Sequence, residues 1–225
     1  ITERRKRNED YGDLLSMLIS ATDPETGEKM TDTEIRDEVI TMFLAGYDSP
    51  GTTMAWIWWE LARHHEVFEI LRGELDSTLG GRPPTIGDLE SMPYTMMVVK
   101  EGLRLAAPAG NLGREAKEDD IIGGFHIPAS TTVVVNSWVT HRHPDIWPNP
   151  ERFNPQRFAR SMDSTRPQCA FIPFGEGPRK CIGVNFGLMQ LPLILATVCQ
   201  RVRFRKPPER FELEQMMTYR AKAPI

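Results

Sequence analysis

At 225 residues, with 40% hydrophobic side chains, 17 glycines and 18 prolines, the chain can bury a sizeable core, which excludes a disordered tail or a fibrous repeat. A formal net charge of -4 excludes a global basic field for nucleic acid, because RFRKPPER near the end is only a short cluster. Three cysteines, Cys169, Cys181 and Cys199, without CxxC spacing, exclude a disulfide framework and a structural zinc site and fit a reducing, intracellular setting.

The first residues, ITERRKRNEDYGDLLSML, read as the continuation of a helical region already under way, and so as a piece of something longer. TDPETGEKMTD is a loop, and Thr31-Asp32-Thr33-Glu34 has capping-box spacing. A long helix is expected from Ile35 to about His64, with apolar residues at three- and four-residue intervals, becoming apolar nearly all round at MAWIWWEL. Further helices are expected over about 65–79, closed by Gly80-Gly81, over about 93–106, stopped by Pro108, and over about 183–201, kinked at Pro192. Residues 111–136 carry short strand-like runs such as TTVVV, broken by Gly123-Gly124 and Pro128, which suggests a small sheet on a helical body. Residues 144–180 hold seven prolines and little periodicity, the mark of a long ordered loop. No run reaches the roughly 18 consecutive apolar residues of a membrane span.

That loop ends in FGEGPRKCIG, residues 174–183. Its glycines let backbone N–H groups approach the Cys181 sulfur without a Cβ in the way. A helix start, with Arg179 and Lys180 alongside, favours the thiolate over the thiol. A thiolate serves as a nucleophile or as a metal ligand. A nucleophile wants a positioned base, and His141 and His143 lie far upstream. Backbone donors beside a cation suited to a carboxylate suit a soft ligand for haem iron, with Arg179 toward a propionate. His141-Arg142-His143-Pro144 reads as structural rather than as a metal pair, and Trp56, Trp58 and Trp59 read as core packing.

FGEGPRKCIG resembles the haem signature F-x-x-G-x-R-x-C-x-G of the cytochrome P450 family at every fixed position: Phe174, Gly177, Arg179, Cys181 and Gly183. Glu101 and Arg104 resemble the family's E-x-x-R, completed by Arg152 of Pro150-Glu151-Arg152-Phe153. The resemblance implies a buried ion cluster that supports the haem site. Leu44-Ala45-Gly46-Tyr47-Asp48-Ser49 resembles A-G-x-[DE]-T on the helix crossing the distal face of the haem. Ala45 and Gly46 would leave room for dioxygen and substrate, and Asp48 and Ser49 would relay protons. Here the chain departs from the pattern: Ser49 stands where threonine is usual, and Pro50 where a second hydroxyl is usual, so the helix is expected to open there. Thr52 and Thr53 are second-choice hydroxyls, better read as packed or bonded back to the helix. Arg114 falls where the family places a propionate-binding arginine, and Ala107 to Gly110 would line the substrate side.

The resemblance implies a mainly α fold with small β-sheets, residues 1–225 forming the C-terminal haem-binding part of a single domain whose N-terminal half is absent. It implies haem b (iron protoporphyrin IX) and a monooxygenase that inserts one atom of O2 into an apolar substrate by hydroxylation or epoxidation. Electrons would come from a ferredoxin or flavoprotein reductase in the cytoplasm, with an upstream membrane anchor left open. The chain by itself is expected to be inactive. The alternatives are a peroxide-using or oxygenated-lipid-rearranging enzyme, for which the altered Ser49-Pro50 leaves room, or a non-catalytic haem-binding fragment.

Overall fold

The structure, a computed structural model, describes residues 1–7, 9–163, 166–205, 213–215 and 219–221. Part of the basic cluster RFRKPPER, from Lys206 onward, lies outside the described residues. Contacts divide the chain into two compact units, residues 1–48 and 49–225.

The first unit opens with α1 (Thr2–Arg7) and α2 (Leu14–Ser20). The continuous helix expected here is two short ones. Gly12 takes a positive φ of 64°, and Asp13 caps α2 by accepting from the Ser16 N–H. Arg4 also grips Asp13 at 2.7 Å, a pairing that holds the Asp13 carboxyl down at about 2 together with the bond from the Ser16 N–H. After the expected loop, α3 (Asp32–Arg63) begins with the expected capping box. The Thr31 N–H donates to Glu34 at 2.7 Å and the Glu34 N–H donates to the Thr31 hydroxyl at 3.3 Å. Helical geometry is assigned without interruption through Pro50, so the expected opening does not end the helix. A proline removes one i→i−4 donor, and the bonds on either side keep the run helical.

In the second unit, α4 (His65–Leu79) ends on Gly80 in the left-handed region, φ 56°, as Gly80-Gly81 required. A 3-10 turn over Ile86–Ser91, closed by a Thr85–Asp88 capping box, was not legible in the periodicity. It is followed by α5 (Pro93–Leu105), whose N-terminus is capped from outside: the Glu74 carboxylate of α4 accepts from the Tyr94 N–H at 2.7 Å and the Thr95 N–H at 2.8 Å.

Strands β1 (Asn111–Glu115), β2 (Asp120–Ile122), β3 (Phe125–Ile127) and β4 (Thr132–Asn136) form antiparallel pairs, β1 with β4 and β2 with β3. Short α6 (Ser137–Thr140) precedes the proline-rich loop, α7 (Arg160–Asp163) lies within it, and α8 (Val184–Cys199) follows the cysteine. Helix α8 continues through the buried Pro192. Strands β5 (Leu213–Gln215) and β6 (Tyr219–Ala221) pair near the end. The fold is mainly helical with small sheets, as expected. Among the described residues no helix is long and apolar enough to cross a membrane.

The core joins α4, α5, α8 and the second half of α3 through Ile57, Leu71, Leu75, Val98, Val99, Leu103, Leu191 and Leu195. Cys199 belongs to it, and burial pushes its thiol up to about 12, the signature of a packing residue. The closest approach is at Gly102, where an added Cβ would overlap the Ile57 side chain. Gly102→Ala is therefore expected to lower stability by roughly 1–3 kcal/mol, and by less in an Ile57→Ala background, which lacks the overlapping Cγ1 and Cδ1. Urea unfolding decides this, and an unchanged midpoint would refute the interlock.

Candidate functional site

Glu101 and Arg104 share one face of α5 and are both completely buried. Arg104 donates through Nε to Glu101 Oε2 at 2.7 Å and through Nη2 to Oε1 at 2.9 Å, a bidentate pair. The Asn154 N–H donates to the same Oε1 at 2.8 Å. Arg104 Nη1 donates to the His141 carbonyl at 2.8 Å, and Nη2 reaches the Arg152 carbonyl at 3.4 Å.

The third member corrects the sequence expectation. Arg152 is exposed and contributes only its carbonyl. The guanidinium that approaches Glu101 is that of Arg157, with Nε 3.4 Å from Oε1 and a side chain only 11% exposed. That contact is an ion pair without hydrogen-bond geometry, since Arg157 Nε has no hydrogen-bond partner among the described residues, and Nη2 donates instead to the Asn149 carbonyl at 2.7 Å. The motif spacing occurs twice, as Pro150-Glu151-Arg152-Phe153 and as Pro155-Gln156-Arg157-Phe158, and only the second sits in the 3-10 turn Pro155–Phe158 packed on α5. Closer reading of the repeated P-x-R-F spacing could have found it.

His141 is the second residue brought to this point. It caps the C-terminus of α6, is fully buried, and packs beside the Phe171 and Trp147 rings at 5.4 and 6.5 Å. The Ile172 N–H donates to its Nε2 at 2.9 Å, so Nδ1 carries the proton and donates to the Arg104 carbonyl at 3.1 Å. Burial, with the charges of Arg104 and Arg142 acting in the same direction, pushes its pKa down to about 4 against the bond to the Arg104 carbonyl. Arg142 Nη2 donates to the Leu105 carbonyl at 2.8 Å. Together they satisfy carbonyls that α5 leaves open at its end. The structural reading of this histidine holds.

From Ile172 the chain enters the cysteine motif. Gly175 and Gly177 take φ of 73° and 78°, conformations that favour glycine, and the Cys181 N–H donates back to the Phe174 carbonyl at 2.9 Å, closing the loop. Gly175 packs against Leu112 of β1, and the Phe174 ring lies against Gly187 of α8. Helix α8 starts at Val184 with Gly183 as its N-cap, within a residue of the expected start, so Cys181 stands two residues before the cap. Cys181 is exposed rather than buried, and among the described residues no N–H bonds its sulfur. Gly183 leaves the backbone close to the sulfur: a Cβ there would sit 3.8 Å from Sγ. Arg179 is exposed, while Lys180 pairs with Glu176 at 3.4 Å. One open sulfur on a hydrogen-bonded loop before a helix N-terminus offers a single protein ligand, which would suit haem, since haem brings its own nitrogen donors to the iron.

Arg114 is exposed on β1, with its Nη1 donating to the Gly113 carbonyl at 2.7 Å. It shares the strand face of Leu112, whose side chain touches the cysteine loop at Gly175. In the first unit, Ala45 and Gly46 are exposed and Asp48 is half-buried on α3. In the second, Ser49 is half-buried, its carbonyl accepts from Thr53 Oγ1 at 2.9 Å, and Thr52 and Thr53 are buried, as the back-bonded reading required.

An open cysteine on a closed loop, beside a buried E-x-x-R pair, defines a haem-binding class of protein. The chain belongs to the cytochrome P450 family, whose model, Cytochrome P450, matches residues 1–222. It is similar to cyclooctat-9-en-7-ol 5-monooxygenase of Streptomyces melanosporofaciens, 38% identical over 208 residues, covering 92% of this chain and 45% of that protein. Cytochrome P450 3A29 of Sus scrofa is 36% identical over 206 residues, covering 91% of this chain and 41% of that protein. A solved cytochrome P450DA heme domain matches with a TM-score of 0.92 and 32% identity over 98% of this chain and 49% of the domain. The chain spans less than half the length of these relatives.

Two measurements test the site. Arg157→Ala is expected to cost about 2 kcal/mol in urea unfolding and Glu101→Ala about 3–5 kcal/mol, while Arg152→Ala stays within ~0.5 kcal/mol. A larger loss at Arg152 than at Arg157 would overturn the assignment. For pH, His141 has its folded pKa below the ordinary 6.5, so its contribution is present above 6.5 and is lost as pH falls toward about 4. Stability is expected to drop by about 2 kcal/mol between pH 7 and pH 5 through this residue. A neutral His141→Gln variant should lose less over the same interval, and equal losses would refute the attribution.

Proposed function

We propose that the protein carrying this chain is a haem-thiolate monooxygenase that inserts one atom of O2 into an apolar organic substrate, and that residues 1–225 are the C-terminal haem-binding part of a single domain. The observation that carries the reading is the open Cys181 sulfur at the mouth of α8, on a loop closed by its own N–H on the Phe174 carbonyl. When bound, haem b supplies an iron that activates dioxygen, with the thiolate pushing electron density toward it.

The remaining roles belong to the chain. Cys181 holds the iron, Phe174 packs beside the sulfur, and Gly177 and Gly183 keep the backbone clear of it. Arg179 and Arg114 supply guanidiniums for the propionates. Ala45 and Gly46 leave space for dioxygen and substrate. The Asp48 carboxylate would take a proton from water and the Ser49 hydroxyl would pass it on toward the substrate side, so that both groups return to their starting state. Glu101, Arg104 and Arg157 hold the loop without touching substrate. The names of the bacterial relatives, a cyclooctat-9-en-7-ol 5-monooxygenase and a cyclooctatin synthase, favour a bulky alicyclic substrate. A ferredoxin or flavoprotein reductase in the cytoplasm would supply the electrons.

The test is the carbon monoxide difference spectrum after haem addition and reduction, on this chain and on the protein with the upstream region its relatives possess. A strongly red-shifted Soret band that vanishes in Cys181→Ser is the expected result. No such band from the longer protein would overturn the reading.

A further inference from the structure

Among the buried titratable side chains to which the proposed chemistry gives no role is His141. His141 joins two parts of the chain that, among the described residues, do not otherwise meet by backbone hydrogen bonds. Its Nδ1–H reaches the Arg104 carbonyl at the end of α5 at 3.1 Å, and its Nε2 accepts from the Ile172 N–H at 2.9 Å. Its own carbonyl takes Arg104 Nη1 at 2.8 Å, so Arg104 and His141 are bonded to each other in both directions. Ile172 is also bonded on its other side, its carbonyl accepting from the Gly175 N–H at 3.1 Å, and Phe174 accepts from Cys181. An unbroken sequence of short links thus runs from the Glu101–Arg104 pair through one imidazole into the loop that carries the sulfur.

We propose that His141 is the positioning residue of the Cys181 loop, held as the neutral Nδ1–H tautomer so that Nε2 anchors Ile172 and sets where the loop enters. The proposal rests on the haem-thiolate reading only for why the place of the sulfur matters. Two contacts demand that tautomer. A proton on Nε2 would face the Ile172 N–H donor to donor, and loss of the Nδ1 proton would set two acceptors against each other at Arg104. The groups packed around the ring oppose protonation as well: the Arg104 guanidinium of α5, the Arg142 guanidinium just past α6, and the apolar faces of Trp147 and Phe171. The imidazole is completely buried, with the Phe171 ring tilted beside it at 5.4 Å and the Trp147 ring edge-on at 6.5 Å, so the two hydrogen bonds set its orientation away from water.

The first measurement is the nitrogen NMR of the His141 imidazole in the wild-type chain at pH 7. A neutral Nδ1–H ring is expected, and an Nε2–H ring or an imidazolium would overturn the proposal. The second is amide hydrogen exchange, compared between residues 172–181 and the core of α8. His141→Leu should speed exchange in 172–181 by about tenfold, the size expected for one lost hydrogen bond, and leave α8 unchanged. His141→Gln, which places an acceptor near the position of Nε2, should restore protection at Ile172 better than His141→Asn, which mimics Nδ1. Equal acceleration in both segments, or no acceleration, means that His141 only stabilises the core and overturns the assignment. Should the leucine variant not fold, the order of the glutamine and asparagine variants decides, and equality between them counts against the proposal. None of these readouts needs haem. A wild-type protein that keeps the tautomer and the exchange pattern but gives no red-shifted band with haem and carbon monoxide sinks the haem-thiolate reading and leaves the tether standing.

Discussion

A carboxylate with no exposure to water must be surrounded by donors, and the arrangement around the cysteine follows from meeting that demand at Glu101. Its two oxygens take Arg104 in a fork, the Asn154 N–H, and the charge of Arg157. One carboxylate facing two guanidiniums leaves a surplus of positive charge, and the chain disperses it onto carbonyl dipoles. His141 and Arg152 offer theirs to Arg104, and Asn149 offers its own to Arg157. The long proline-rich loop is therefore wound around a fixed charge and needs no regular secondary structure to be ordered.

The same loop delivers the sulfur. Leu112 of β1 packs under Gly175, the Phe174 ring packs on Gly187 of α8, and the Cys181 N–H closes back on Phe174. Two elements from separate stretches of sequence, β1 and α8, thus converge on a segment that also buries Ala170 and Ile172 of its own. Arg72 adds a tie at the far end of α8, donating to the Cys199 carbonyl at 3.0 Å, so the helix behind the sulfur is held at its C-terminus as well.

Much of this was legible in the chain because it is local. The α3 capping box, the Gly80 stop and the glycine pattern around Cys181 are statements about neighbouring residues, and each stands where its spacing put it. The N-terminal helix was misjudged because charged side chains carry no apolar period, and the break depends on the conformation of Gly12. The third arginine was misassigned because two segments five residues apart carry the same spacing, and only burial against α5 separates them. Exposure of Cys181 was equally invisible, being set by which elements lie near the loop rather than by the loop itself.

The partners of the Glu101, Arg104 and His141 side chains include many main-chain groups: the Asn154 and Ile172 N–H, and the carbonyls of Arg104, His141 and Arg152. A main-chain partner is present whatever side chain it carries. Substitution can therefore wander along much of the proline-rich loop without disturbing the brace, so long as the backbone path and the few gripping side chains persist. This permits loops of very different composition to present a sulfur in the same place.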